Sequence, residues 1–350
     1  MHMADALLAP AVAATMYVAS GAVAGVSILG LRKDDEPQKL PVMAVTAALV
    51  FAGQMINYTI PGTGSSGHMC GGMLLSALLG PQAGFLSMIV ILAIQCLFFA
   101  DGGLMALGAN VWNMAFYGCF VGYYLIWRPI MRSKWFGEGR GAQRGRIVAA
   151  SIIGCVVTLQ LGAFSVVLET SLSGITELPF GAFVALMQPI HLAIGLVEGL
   201  ITSAVLLFVN ESRPELLQGV TPAEGERAKR SLKTVVVVLA IVAVVVGGGL
   251  SLLASSNPDG LEWALFGNAE EGYAENMGLD EEAYGVESSA ADTAGAIQEK
   301  TAFLPDYAFA DSETPVGTTV SGVVGAAIVA GVAILICLAC GFFRKRKNKA

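Results

Sequence analysis

At 350 residues, with 55% hydrophobic and only 13% charged side chains and a mean hydropathy of +0.68, the chain has too little charged surface for a soluble protein of its size. Its apolar runs suit about eight or nine crossings of a ~30 Å hydrocarbon core, at roughly 20 residues each. The net charge of −7 is unevenly spread: between Asn257 and Pro315 there are 14 acidic residues and one basic residue, Lys300.

In chain order, the first span is expected from about Leu7 to Leu31. No basic region precedes it and its first charge is Asp5, so a retained helix is expected and not a cleaved signal peptide. Arg32-Lys33 then mark a cytoplasmic loop by the positive-inside rule. A second span, about Pro41 to Ile60, leads outward to the glycine-rich loop Pro61-Gly62-Thr63-Gly64-Ser65-Ser66-Gly67-His68. The apolar run from Met69 to Ala100 is broken at Gly80-Pro81 and reads as a short helix, a tight turn and a returning helix. Further spans follow at about Leu104 to Trp127, Ile147 to Leu168 and Phe183 to Val209, the first two joined by a loop rich in Arg and Lys.

Residues 213–233 are mixed in charge and read as a cytoplasmic linker between two modules, 1–212 and 234–350. The second module has spans at about Thr234 to Ala254 and Gly317 to Phe343, flanking the acidic loop and ending in Arg344-Lys345-Arg346-Lys347. The expected fold is an all-α polytopic membrane protein: a seven-span bundle plus two C-terminal spans around an outer acidic loop. Basic loops on one side and the acidic loop on the other put the N-terminus outside and the C-terminus in the cytoplasm.

The 42 glycines and 13 methionines suit closely approaching membrane helices. The six cysteines show no secreted disulfide spacing, and Cys337-x-x-Cys340, inside the last apolar run, reads as a pair of small hydrophobes. The phosphate-binding pattern GxxxxGK[ST] is absent, so energy for active transport would come from a partner or an ion gradient.

The three histidines are His2, His68 and His191. The inferred topology places His2 and His68 on one side. The α-amine of Met1, the deprotonated amide of His2 and the His2 Nδ1 can close fused chelate rings, with His68 as a fourth nitrogen. Such a set suits Ni(II), Cu(II) or low-spin Co(II) better than tetrahedral Zn(II). The alternatives are a cloning remnant ahead of Met3 and a solvated loop histidine at His68. His191 and Glu198, seven apart, share one helix face within a span, where ionisable residues serve helix–helix hydrogen bonds or a metal pathway. Asp101 is placed to cap the helix that follows it, and Asn110 and Asn113 share a side. With Ser66, these three form the expected supporting shell.

Met1-His2-Met3-Ala4-Asp5-Ala6-Leu7 with Pro10, Ile60-Pro61-Gly62-Thr63, Ser66-Gly67-His68-Met69-Cys70-Gly71-Gly72, Leu78-Leu79-Gly80-Pro81, Asp101-Gly102-Gly103, Ala106 to Asn110, Asn113-Met114 and His191, Gly195, Glu198 together resemble the CbiM/NikM family across roughly 1–210. These are substrate-binding components of energy-coupling-factor importers for nickel and cobalt. The resemblance implies seven spans, a metal held by the Met1 amine, the His2 amide and ring, and His68, and residence in a prokaryotic cell (inner) membrane. It also implies partners: a CbiQ/NikQ-like coupling subunit, CbiO/NikO-like ATPases and lipid, with no nucleic acid. Asn257-Pro258-Asp259-Gly260-Leu261-Glu262-Trp263 and Leu304-Pro305-Asp306-Tyr307 resemble the PDGLE-type NikN component, which favours Ni2+ over Co2+ as transported substrate. The stretch from about Gly267 to Lys300 matches no pattern and is expected to be flexible. No cofactor is expected. A membrane enzyme lacks a nucleophile–base pair or an HExxH motif here, a vitamin importer would need a larger aromatic pocket, and an ion-gradient permease would rest on His191 and Glu198 alone.

Overall fold

The computed structural model describes residues 1–31, 39–175, 177–220, 229–280, 284–309, 314 and 316–347. Arg32-Lys33, residues 221–228 of the linker and the side chains of Cys337, Cys340 and 341–347 lie outside the described residues.

The chain folds into helices α1 (Pro10–Leu31), α2 (Lys39–Gln54), α3 (Gly72–Leu79) and α4 (Pro81–Phe99), with a two-stranded hairpin between α2 and α3. Then comes α5 (Leu107–Val111), which runs through a wider π-helical stretch, Trp112–Trp127, into α6 (Arg128–Arg132). Two long helices follow, α7 (Arg140–Leu172) and α8 (Phe180–Ser212). The second module holds α9 (Leu232–Gly248), α10 (Gly260–Phe266), α11 (Ser289–Thr301) and α12 (Val316–Lys347). Among the described residues, six helices are long and apolar enough to cross a membrane: α1, α4, α7, α8, the run Leu232–Leu253 and the 316–336 part of α12.

Two expectations about the spans need correcting. The second span does not reach Ile60: α2 ends at Gln54, and Tyr58–Ile60 (β1) pairs antiparallel with Ser65–Gly67 (β2), Thr59 opposite Ser66. Prolonging α2 would forfeit that pairing and the turn made by Gly62 and Gly64, both at positive φ. The short helix, turn and returning helix expected around Gly80-Pro81 are present, but the seven-span count takes the short helix as a crossing, and this helix is α3, whose 8 residues rise only about 12 Å. It is a buried half-length arm against α4 and not a complete span. Gly80, at φ 82°, makes the turn, and Pro81 opens α4, where a missing N–H costs nothing.

Small residues set the packing. Gly195 and Gly199, one turn apart on α8, let it close on α7: a Cβ at either would lie 2.9 Å and 2.6 Å from the Cα atoms of Val156 and Ile152. Gly247 and Gly322 do the same between α9 and α12, where a Cβ on Gly322 would meet the Gly247 carbonyl oxygen at 1.9 Å. Both helices also pack on α2. This explains how a helix of only 16 residues becomes almost wholly buried from Val42 to Ala52. The two modules therefore share one interior. The loop read as flexible is partly regular: Ser289–Thr301 is a helix capped by Ser288, and Gln298 Nε2 donates to the carbonyls of Cys96 (2.9 Å) and Gly102 (2.7 Å).

Candidate metal centre

The N-terminal segment threads into the protein. Met1, Met3, Leu7 and Leu8 are buried. Asn110 on α5 holds it there as a strand neighbour would: its Oδ1 accepts from Met3 N at 2.7 Å and its Nδ2 donates to Met3 O at 3.2 Å. Gly103 N donates to the same carbonyl at 2.9 Å. Asn113, three residues on, donates to Glu169 Oε2 at 2.8 Å and faces Met3 Sδ. Asp101 does not cap α5. That helix starts after Ala106, whose N–H donates to Asp5 Oδ1 at 2.9 Å. Asp101 instead takes His2 Nδ1 on Oδ1 at 3.0 Å and the Tyr307 hydroxyl on Oδ2 at 2.5 Å.

His68 follows β2, and its ring stacks on that of His2 with centroids 5.4 Å apart and planes 16° from parallel. Its Nδ1 lies 3.1 Å from Met69 O. A carbonyl can only accept, so Nδ1 carries the proton and the Nε2 lone pair is free for a metal. That Nε2 lies 3.9 Å from Asp259 Oδ2, and the same oxygen accepts from the Met1 α-amine. Burial pushes the His68 imidazole down to about 4, helped by the Met1 ammonium and His2 and opposed by Asp259, so it is neutral at pH 7. Burial opposes the charge on the Met1 amine, but Asp259 outweighs it and raises the amine above its usual range. Asp259 and Asp101 are held well below the usual carboxylate range: burial works the other way, but the Met1 ammonium dominates at Asp259 and His2 at Asp101.

The structure thus brings Met1, His2 and His68 together, with Asp101 on His2 and Asn110 on the Met3 backbone next to it. Their internal arrangement differs from the expected chelate, because His2 Nδ1 faces Asp101 and not the α-amine. Ser66 does not touch the histidines through its side chain; its Oγ donates to Asn257 O at 2.7 Å. Nor does His191 bond between helices. Its Nδ1 lies 2.8 Å from Met187 O one turn back on α8, while Nε2 is buried without a hydrogen-bond partner among the described residues. Glu198 receives the N–H groups of Cys70 (2.8 Å) and Gly71 (2.9 Å), fixing the segment just after His68.

Asp259 is the residue that sequence reasoning left without a role. Its signal was present: Asp259-x-x-Glu262 ahead of an apolar run is a capping box. Asp259 Oδ1 accepts from Leu261 N (2.8 Å) and Glu262 N (3.0 Å), and Glu262 Oε2 accepts from Asp259 N (3.2 Å). Oδ2 is left pointing at the N-terminus. Around it the second module is stitched to the His68 hairpin: Ser66 N donates to Pro258 O (2.8 Å), Trp263 Nε1 to Thr63 O (2.8 Å) and Asn268 Nδ2 to Gly64 O (2.8 Å).

Residues 2–216 match the family model CbiM, described as a cobalt uptake substrate-specific transmembrane region. The chain belongs to the CbiM family. Residues 233–341 match the PDGLE domain, so this CbiM chain carries both modules of the fusion. It is 36% identical over 334 residues to a protein of Archaeoglobus fulgidus named as a fused nickel transport protein NikMN, covering 94% of this chain and 95% of that one. It is 32% identical over 356 residues to the fused nickel transport protein NikMN of Rhodobacter capsulatus, covering 95% and 96%. A crystal structure of a truncated transition metal transporter superposes with a TM-score of 0.52 at 32% identity, covering 60% of this chain and 99% of that one. This CbiM protein is therefore a membrane component of a nickel/cobalt transporter, from a family of transporter components and not of enzymes.

Proposed function

We propose that the chain captures Ni2+ for an ATP-driven importer, holding it with the Met1 amine, the His2 amide and ring, and His68. The observation that carries this reading is the convergence of those groups at His68, whose ring stacks on that of His2 and whose free nitrogen faces the Met1–Asp259 pair. Charge bookkeeping supports it. Binding exchanges the ammonium proton and the amide proton for a divalent ion, which leaves the pocket's net charge unchanged between Asp101 and Asp259. A buried site that need not change charge avoids the several kcal/mol penalty of an unpaired buried ion.

The metal arrives from the outer face, sheds its waters and turns the His2 ring away from Asp101 into the chelate. A CbiQ/NikQ-like membrane subunit and CbiO/NikO-like ATPases then reorient this component and release the ion inward, with the N-terminus outside and the C-terminus in the cytoplasm. His191 and Glu198 lie beside and beyond Met1 and Cys70 and form the first part of that route. Nickel is favoured by the fused NikMN relatives. The second reading, a cobalt importer component serving cobalamin synthesis, is favoured by the family description. Uptake of labelled Ni2+ and Co2+ by cells that also express the coupling subunit and ATPases tests both. Loss of Ni2+ uptake in His68→Ala, with Co2+ a weak competitor in the wild type, is expected. Unchanged uptake in His68→Ala contradicts the site, and preferential Co2+ uptake by the wild type favours the second reading.

A further inference from the structure

Between the two modules, the residues that carry His2 and His68 border a chamber of about 580 Å³. It is bounded by the N-terminal segment, the Asp101 loop, α10, α11 and the Pro305–Tyr307 turn. A divalent ion with six waters needs about 180 Å³, at about 30 Å³ per water. On the other side of His68 and Asp259, the cavity lined by Met1, Cys70 and His191 has only about 10 Å³, room for one water-sized body. A hydrated ion thus fits the first space and not the second.

The lining of the chamber matches an ion that still wears its waters. Asp101 and Asp259 are already engaged by His2, Tyr307 and the Met1 amine. Glu262 and Asp306, both from the second module, are exposed carboxylates that line the same space. Two buried polar atoms, on Gln54 and His2, also belong to its wall. Gln54 is 5% exposed; its Nε2 donates to Cys70 O at 2.7 Å, and its Oε1 has no hydrogen-bond partner among the described residues. The His2 side chain is 8% exposed, with Nδ1 on Asp101 and no hydrogen-bond partner for Nε2 among the described residues. Metal-bound waters are strong donors, and unpaired buried acceptors beside carboxylates are what such waters bind.

We propose that this chamber is a second cation site, an antechamber that holds a divalent ion through its water shell by Glu262 and Asp306 before the ion is stripped at Met1, His2 and His68. The inference rests on the capture reading above and gives the second module a direct part in loading. Oxygen groups that touch only waters discriminate poorly among divalent ions, so Mg2+ enters the chamber, whereas the nitrogen chelate rejects it.

The test is stopped-flow association of Ni2+ with the purified full chain, with Mg2+ or with NaCl at matched ionic strength. Mg2+ is expected to slow association at least about tenfold more than matched NaCl, and the double variant E262Q/D306N to lose that inhibition and associate about tenfold more slowly. Glutamine keeps the oxygen that caps α10, and an unchanged Ni2+ stoichiometry certifies the fold of the variant. Equal slowing by Mg2+ and matched NaCl in the wild type overturns the proposal. So does association of a fully binding double variant within about twofold of the wild type. Failure of the capture reading is seen separately, as undiminished Ni2+ stoichiometry in His68→Ala.

Discussion

Asp259→Asn separates the charge of this residue from its helix-capping role, because asparagine caps as well as aspartate and α10 keeps its start. At pH 7 the wild-type Met1 amine carries a proton: burial opposes it, but Asp259 raises the amine above its ordinary value of about 8. His68, pushed down to about 4 by burial, starts neutral and releases none. Capture of Ni2+ in the proposed chelate therefore expels about two protons, one from the amine and one from the His2 amide. In Asp259→Asn the largest upward cause is gone and burial pulls the amine down, so less of it is protonated at the start and the count falls from two towards one. Calorimetric titration with Ni2+ in buffers of different ionisation enthalpy reads the count directly. A count that is the same in both chains refutes the reasoning. The same pair sets a pH dependence. A raised amine contributes stability that is complete below about pH 8 and is lost as the pH climbs through its folded value. The melting temperature of the metal-free wild type should fall above pH 8, and that of Asp259→Asn should be flatter there.

Further expectations concern the scaffold of the site. Asn110→Ala removes both bonds that hold the Met3 backbone and should cost about 1–3 kcal/mol in stability and about 10–100-fold in Ni2+ affinity, read by thermal melts and titration. Trp263→Ala removes the Nε1 bond to Thr63 O, so amide exchange across Gly62–His68 should quicken while α7 and α8 keep their protection. Gly199→Val puts a Cβ 2.6 Å from the Ile152 Cα and should force α7 and α8 apart, lowering the melting temperature by several degrees, whereas the same change at the open position Gly21 should not.

Much of the membrane architecture was legible because apolar length and loop charge act locally. The helices from Pro10, Phe180 and Val316 lie close to where hydropathy puts them. The β1–β2 hairpin was not legible, since Tyr58–Ile60 is too short to carry a strand pattern of its own and only pairing with Ser65–Gly67 distinguishes it. The candidate site was legible in part. Met1, His2 and His68 stood out as nitrogen donors on one face, and Asn110 as a supporting residue. Asp101 was recognised as important but given the wrong partner, because a short polar side chain ahead of a helix suits a cap equally well whether or not a histidine is near it. Asp259 was missed because its partner is the first residue of the chain, and no local pattern encodes a contact across the whole first module. The α11 helix was hidden by its polar composition: it is anchored through Gln298 and not through an apolar stripe.

The most direct test of the account compares Ni2+ titrations of the chain beginning at Met1 with one extended by a few residues before Met1. An extension turns the α-amine into an amide and cannot enter a pocket in which Met1 is 5% exposed. The account predicts that the extended chain loses tight Ni2+ binding while keeping its helical content. Equal, tight binding by the two chains would contradict the terminal chelate.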